Sequence, residues 1–367
     1  MAGTRTVLTT ASLWKENWEE TRQRFLDWWD RKGFLIGGGE DYRLPKQRAK
    51  VAAPGPEKSV QQFYTDAVWR AEKARYDLSW RPFLADVLPV ADTNIGPGSL
   101  GTFLGAEPGL TYETVWYRPA IKDPDTHPPL RFDAENKWWK IHEAIIRENV
   151  RLSEGNYYVG CPDLIENIDT LAALRGNEEL MTDLVDRPAW VKAKVREINA
   201  AFFEAYERIY EMTKFEDGSA VFGAFRAWAP GKAAKVQCDA SAMFSREMFA
   251  EFVAPALREQ CRWLGHSMFH LDGFDCIRHL DELLAIEELD AIEWTPDARL
   301  PGGGSPMWHD LYRRILEGGK SLQVVRIEPE EVAPLLDAIG TNGVYIMTGF
   351  PDEKSEKELL REAAKFR

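Results

Sequence analysis

The run Ser267-Met268-Phe269-His270-Leu271-Asp272-Gly273 is an apolar stretch that stops at a histidine and an aspartate two residues apart. Side chains alternate with period two along a strand, so His270 and Asp272 share one face, and Gly273 permits a sharp turn where the strand ends. Asp290-Ala291-Ile292-Glu293-Trp294 is a second strand-like run that brings Glu293 to a comparable place. An imidazole beside carboxylates is equipped for proton transfer near neutral pH or for holding a metal ion. Such a cluster buries charge at a cost unless a substrate, a metal or a hydrogen-bond network compensates it, which marks the set as functional.

Other strand ends supply further candidates: Asp92 and Asn94, Cys161 and Asp163, Cys238 and Asp239, Trp294, and Thr348. Asp239 joins the expected catalytic set, while Asp163, Asn94, Trp294 and Trp228 are the expected substrate contacts. Asp163 and Asp239 would serve equally well as a helix cap or a turn acceptor. Cys238 reads first as a buried thiol, Ser245 and Asp275 as caps, and Gly37-Gly38-Gly39 as a turn rather than a phosphate loop.

These groups need a scaffold that delivers strand ends to one place. Thr10 to Lys32 reads as an amphipathic helix with Trp14, Trp18, Phe25 and Trp28 or Trp29 on one side. Phe34-Leu35-Ile36 follows as a strand, and Glu57 to Trp80 as a second long helix. From Ala134 onward helices alternate with short strands, including Tyr157 to Gly160, Ala220 to Phe225, Ala234 to Cys238, and those ending at His270, Glu293, Val325 and Met347. Roughly nine candidate strands predict an α/β protein with parallel pairing, a single (β/α)8 TIM barrel carrying an N-terminal helical elaboration within residues 1–80. An open doubly wound sheet fits less well, because no Gly-x-Gly-x-x-Gly turn is present. No repeat or linker divides the chain, so residues 1–367 read as one domain.

Composition bounds the function. The 367 residues are 44% hydrophobic and carry a formal charge of −13 with a sequence pI near 5.1. That balance disfavours nucleic acid and anionic membranes as partners. Fourteen tryptophans can supply an aromatic pocket. The four cysteines, Cys161, Cys238, Cys261 and Cys276, form no C-x-x-C pair and suit a reducing cytoplasm. No secretory signal pattern and no membrane-length apolar run is visible.

The segment Cys238-Asp239-Ala240-Ser241, the run Phe244-Ser245-Arg246-Glu247-Met248-Phe249-Ala250-Glu251-Phe252-Val253-Ala254-Pro255, and the turn His270-Leu271-Asp272-Gly273 together resemble the uroporphyrinogen decarboxylase superfamily. The helix resembles that group's S-P-E-M-F-x-E-F-V-x-P pattern, with Arg246 in place of its first proline, and the likeness covers roughly Lys235 to Phe350. The group comprises TIM barrels and includes corrinoid-dependent methyltransferases, and it is similar to cobalamin-independent methionine synthase. Its methyltransferase branch carries His-x-Cys-Gly at this turn, where histidine and cysteine bind zinc with a distant cysteine. In the methionine synthase relatives a later glutamate joins them.

His270 falls on that histidine, Asp272 on the cysteine and Glu293 on the glutamate. The last cysteine has no counterpart, since the final strand ends Met347-Thr348-Gly349. The resemblance thus implies a ligand set of His270, Asp272 and Glu293, with Cys238 from a neighbouring strand end, for zinc or another divalent metal. It implies methyl transfer or demethylation of a small organic substrate. A corrinoid would come from a partner carrier protein, since the chain has no Asp-x-His-x-x-Gly motif. Relatives that are often dimers make a homodimer an expectation. The alternatives are a metal-free decarboxylase using Asp239 or Asp272, without the branch's R-Q-A-G-R motif, and a barrel that only binds a ligand.

Overall fold

A computed structural model describes residues 8–366. Its strands are β1 (Phe34–Glu40), β2 (Val90–Ala91), β3 (Glu107–Leu110), β4 (Val115–Arg118), β5 (Tyr158–Val159) and β6 (Ala220–Phe222). There follow β7 (Ala227–Ala229), β8 (Ala233–Gln237), β9 (His266–Asp272), β10 (Ala291–Thr295), β11 (Ser321–Ile327) and β12 (Val344–Phe350). One parallel sheet has the order β1-β12-β11-β10-β9-β8. The first strand pairs with the last along its whole length, from Phe34 opposite Val344 to Glu40 opposite Phe350. A doubly wound sheet keeps its first strand inside and its last at an edge, whereas a barrel must join them.

The rest of the ring is thinner. β2 and β5 form a separate parallel pair. The Asp86 amide donates to the Ile36 carbonyl at 2.7 Å and so ties the entry of β2 to β1. Cys161 bridges in parallel to Phe222, linking β5 to β6, and β6 packs beside β8. Eight parallel strands, β1, β2, β5 and β8 to β12, follow the expected (β/α)8 order, with the β6–β7 hairpin lodged between β5 and β8.

The helix Trp18–Trp29 is shorter than the Thr10 to Lys32 expected, and it lays Trp18, Phe25, Trp28 and Trp29 into the core. Phe25 meets Tyr345 edge-on at 5.6 Å, and Trp18 meets Trp228 edge-on at the same distance. Both Trp28 and Trp29 donate their indole N–H, to the carbonyls of Leu322 and Trp228 respectively. Each such ring removes enough apolar area to contribute roughly 5 kcal/mol before entropy is counted. The helix predicted from Glu57 to Trp80 is two, Val60–Thr65 and Ala67–Leu78, because the Asp66 carboxylate caps the second by accepting from the Trp69 amide.

Gly37, Gly38 and Gly39 lie within β1 instead of forming a turn. A Cβ on Gly37 would stand 2.7 Å from the Tyr345 hydroxyl, and one on Gly38, whose φ is +125°, would collide with the Thr348 carbonyl. Gly37 therefore makes room for the Tyr345 ring, and Gly38 for the backbone of the neighbouring strand.

Candidate active site

β9 ends because Gly273 adopts a φ of +80°, and the Asp297 carboxylate accepts from the Phe274 amide at 2.8 Å to fix the turn. His270 and Asp272 then emerge on one face, both half-buried. In register, His270 stands between Gln237 of β8 and Glu293 of β10, and Glu293 stands opposite Gln323 of β11, itself opposite Tyr345 of β12. A row of polar side chains thus crosses five strands.

The Glu293 carboxylate is completely buried. One of its oxygens meets His270 Nδ1 in a short contact and the other accepts from the Thr295 hydroxyl at 2.7 Å. Burial works against a charge on His270, but the Glu293 carboxylate outweighs it and holds the imidazole above its ordinary pKa. With Nδ1 taken by Glu293, Nε2 is the nitrogen left for chemistry. Glu293, expected as both a catalytic group and a metal ligand, has both oxygens engaged, one by His270 and one by Thr295, and lies outside the cluster that Asp239 forms with His270 and Asp272.

Asp239 completes the centre. Ligand-type atoms of Asp239, His270 and Asp272 all lie within 4.8 Å of one another. Asp239 follows β8 and reaches solvent at the mouth, yet the surrounding walls and then the neighbouring Asp169 push its pKa up to about 7. Asp169 itself is anchored from behind, accepting from the amides of Asp239 and Ala240 at 2.7 and 2.9 Å. Gln237 donates its side-chain amide to Asp239 at 2.9 Å.

Other expected residues fall elsewhere. The Cys238 thiol is buried, which holds its pKa well above the ordinary value, and it lies outside the Asp239, His270 and Asp272 cluster. Trp228 is wholly buried among Trp18, Phe25 and Trp29, and its indole donates to the Tyr158 hydroxyl at 3.0 Å. Trp294 is also fully buried, packed 4.9 Å from Trp308 on the face of β10 opposite Glu293. Neither tryptophan presents surface to a substrate, which corrects the expectation that they line the pocket.

Asp163 and Asn94 do meet: the Asn94 side chain accepts from the Asp163 amide at 2.6 Å, and both line a cavity of about 550 Å³ with Arg70, Trp69 and Tyr64. Asp163 caps no helix; it forms an ion pair with Lys235 at 2.8 Å. Lys235 also donates to the Gln237 side chain.

Lys235, Gln237 and Asp169 were not singled out in the sequence. For the first two the signal was legible, since Lys235, Gln237 and Asp239 alternate with period two into the site. Asp169 sits inside the helix Asn167–Arg175, and only folding brings it to the strand end.

No protein-family profile and no curated protein matches this chain. Among solved structures it is similar to a methyltransferase from Methanosarcina mazei, at 9% identity over 88% of this chain and 95% of that one, with a TM-score of 0.56. It also aligns with a B12-independent methionine synthase from Shewanella sp. W3-18-1, at 10% identity over 90% of this chain and 95% of that one, with a TM-score of 0.44. The first likeness establishes a shared α/β fold; the second is too loose to support more.

Proposed function

We propose that the chain is an enzyme of methyl transfer or demethylation acting on a small organic molecule, with a divalent metal at Asp239, His270 and Asp272. The observation that carries the reading is the convergence of those three side chains at the carboxyl ends of parallel strands. The likeness to a solved methyltransferase supports the reaction class. Two carboxylates and one imidazole fit a hard or borderline divalent ion and leave positions open, and no thiol joins the cluster among the described residues. Bound there, the ion would act as a Lewis acid on the group that gives or accepts the methyl.

The chain's own residues have distinct parts. Glu293 holds the Nδ1 proton so that His270 presents Nε2. Gln237 and Asp169 fix Asp239 and its backbone. Lys235 is held by Asp163 at the same strand ends. The methyl carrier in this reading is a corrinoid on a partner protein.

The test follows loss of the methyl group from methylcobalamin in the presence of a panel of thiols and amines. Purified protein should accelerate it, and His270→Ala, Asp239→Asn and Asp272→Asn should each slow it by about a hundredfold or more, the scale of losing one electrostatic group at a reaction centre. Undiminished acceleration in all three variants would refute the reading.

A further inference from the structure

Asp239 also borders a cleft of about 570 Å³ whose wall includes Trp116, Tyr117 and Met243 and whose acidic side is Asp169 and Asp239. No lysine or arginine stands among the described residues lining it. Lys235, the nearby cation, is engaged with Asp163. Trp116 is 70% exposed and Met243 57% exposed, so the rim offers bare apolar surface next to the Asp169–Asp239 pair.

We propose that this cleft binds a small organic cation, an alkylated ammonium, as the substrate class. A carboxylate pair in a cleft lined by no lysine or arginine attracts positive charge, and aromatic faces hold a cation through their quadrupole. The hydrogen bonding narrows the choice. Asp169 already accepts from the amides of Asp239 and Ala240 and from the Gln237 side chain at 3.1 Å. Its oxygens are thus already engaged, which suits a quaternary ammonium, an ion with no N–H to satisfy. The alkyl groups fit against Trp116 and Met243. This inference rests on the reading of the mouth as the working site, since Asp239 belongs to both.

The experiment is calorimetric titration of the full chain with choline and with its neutral isostere, in which tert-butyl replaces trimethylammonium. Choline should bind saturably and the isostere about tenfold more weakly. Trp116→Ala, a change at an exposed site that far-UV circular dichroism can show to leave the fold intact, should weaken choline by about tenfold. Equal binding of the isostere, choline affinity indifferent to Trp116→Ala, or no saturable choline binding would each overturn the proposal. His270→Ala lies outside the cleft and separates the two readings. Failed choline binding with His270-dependent methyl loss intact removes only this inference. Choline binding with methyl loss indifferent to His270 removes only the proposed function.

Discussion

His270 and Glu293 are register partners on β9 and β10, and the imidazole Nδ1 meets the buried Glu293 carboxylate. The pairing makes the ring a fixed group rather than a swinging one. Phe225 closes one side at 5.0 Å between ring centres, so orientation and protonation are set before any substrate arrives.

Glu293→Gln should therefore weaken divalent-metal binding by about tenfold to a hundredfold without changing the donor atoms, as loss of a partner behind a metal-bound histidine does. Titration calorimetry of both proteins checks this; unchanged affinity would mean that Glu293 does not orient the ligand.

The Lys235–Asp163 pair is predicted to be structural as well as electrostatic. Its side chains are 6% and 13% exposed, so removing one charge strands the other. Lys235→Met should cost about 3 kcal/mol in urea denaturation, and the Lys235→Met, Asp163→Asn double variant should recover at least about half. Additive losses would show that the two do not interact.

Gly38→Ala should destabilise by about 3 kcal/mol, because the added methyl meets backbone and the φ is foreign to an L residue. Gly37→Ala should cost less alone and should be partly relieved by Tyr345→Phe, which removes the nearest of the ring atoms it strikes. Denaturation midpoints without that order would contradict the packing described for β1.

Much of this site was legible from residue spacing. Period two placed His270 with Asp272, and the alternation of elements led to the barrel. What spacing could not supply was the third partner. Spacing puts Asp239 in the catalytic set alone and Glu293 in both the catalytic and the ligand set, because which carboxylate faces His270 and Asp272 depends on strand register and on which oxygen is already occupied. The tryptophans misled for a similar reason. Trp228 and Trp294 are near strand ends in sequence, but burial turns them into core, while Trp116 on the β3–β4 hairpin does border a cleft. The glycine triplet reads as a turn because the Tyr345 ring against Gly37 and the Thr348 carbonyl against Gly38 come from β12 and have no local signature.

Stability should fall as pH rises through the window set by Glu356. This carboxyl is fully buried, accepts from the Tyr42 hydroxyl at 2.5 Å, and is pushed up to about 7, chiefly by burial. A folded pKa above the unfolded value means that the folded state keeps the proton longer, so the contribution is complete below about 4.5 and is lost by about 7. Glu356→Gln should flatten that slope by about 2 kcal/mol between about pH 5 and pH 8. Parallel pH profiles for the two proteins would contradict it.

The most direct measurement is metal content. Protein expressed with manganese or zinc supplementation should carry about one ion per chain after dialysis, and His270→Ala, Asp239→Asn and Asp272→Asn should each lose it while Cys238→Ala keeps it. Wild-type protein that emerges without an ion, or an ion that survives all three substitutions, would contradict the metal centre at the barrel mouth.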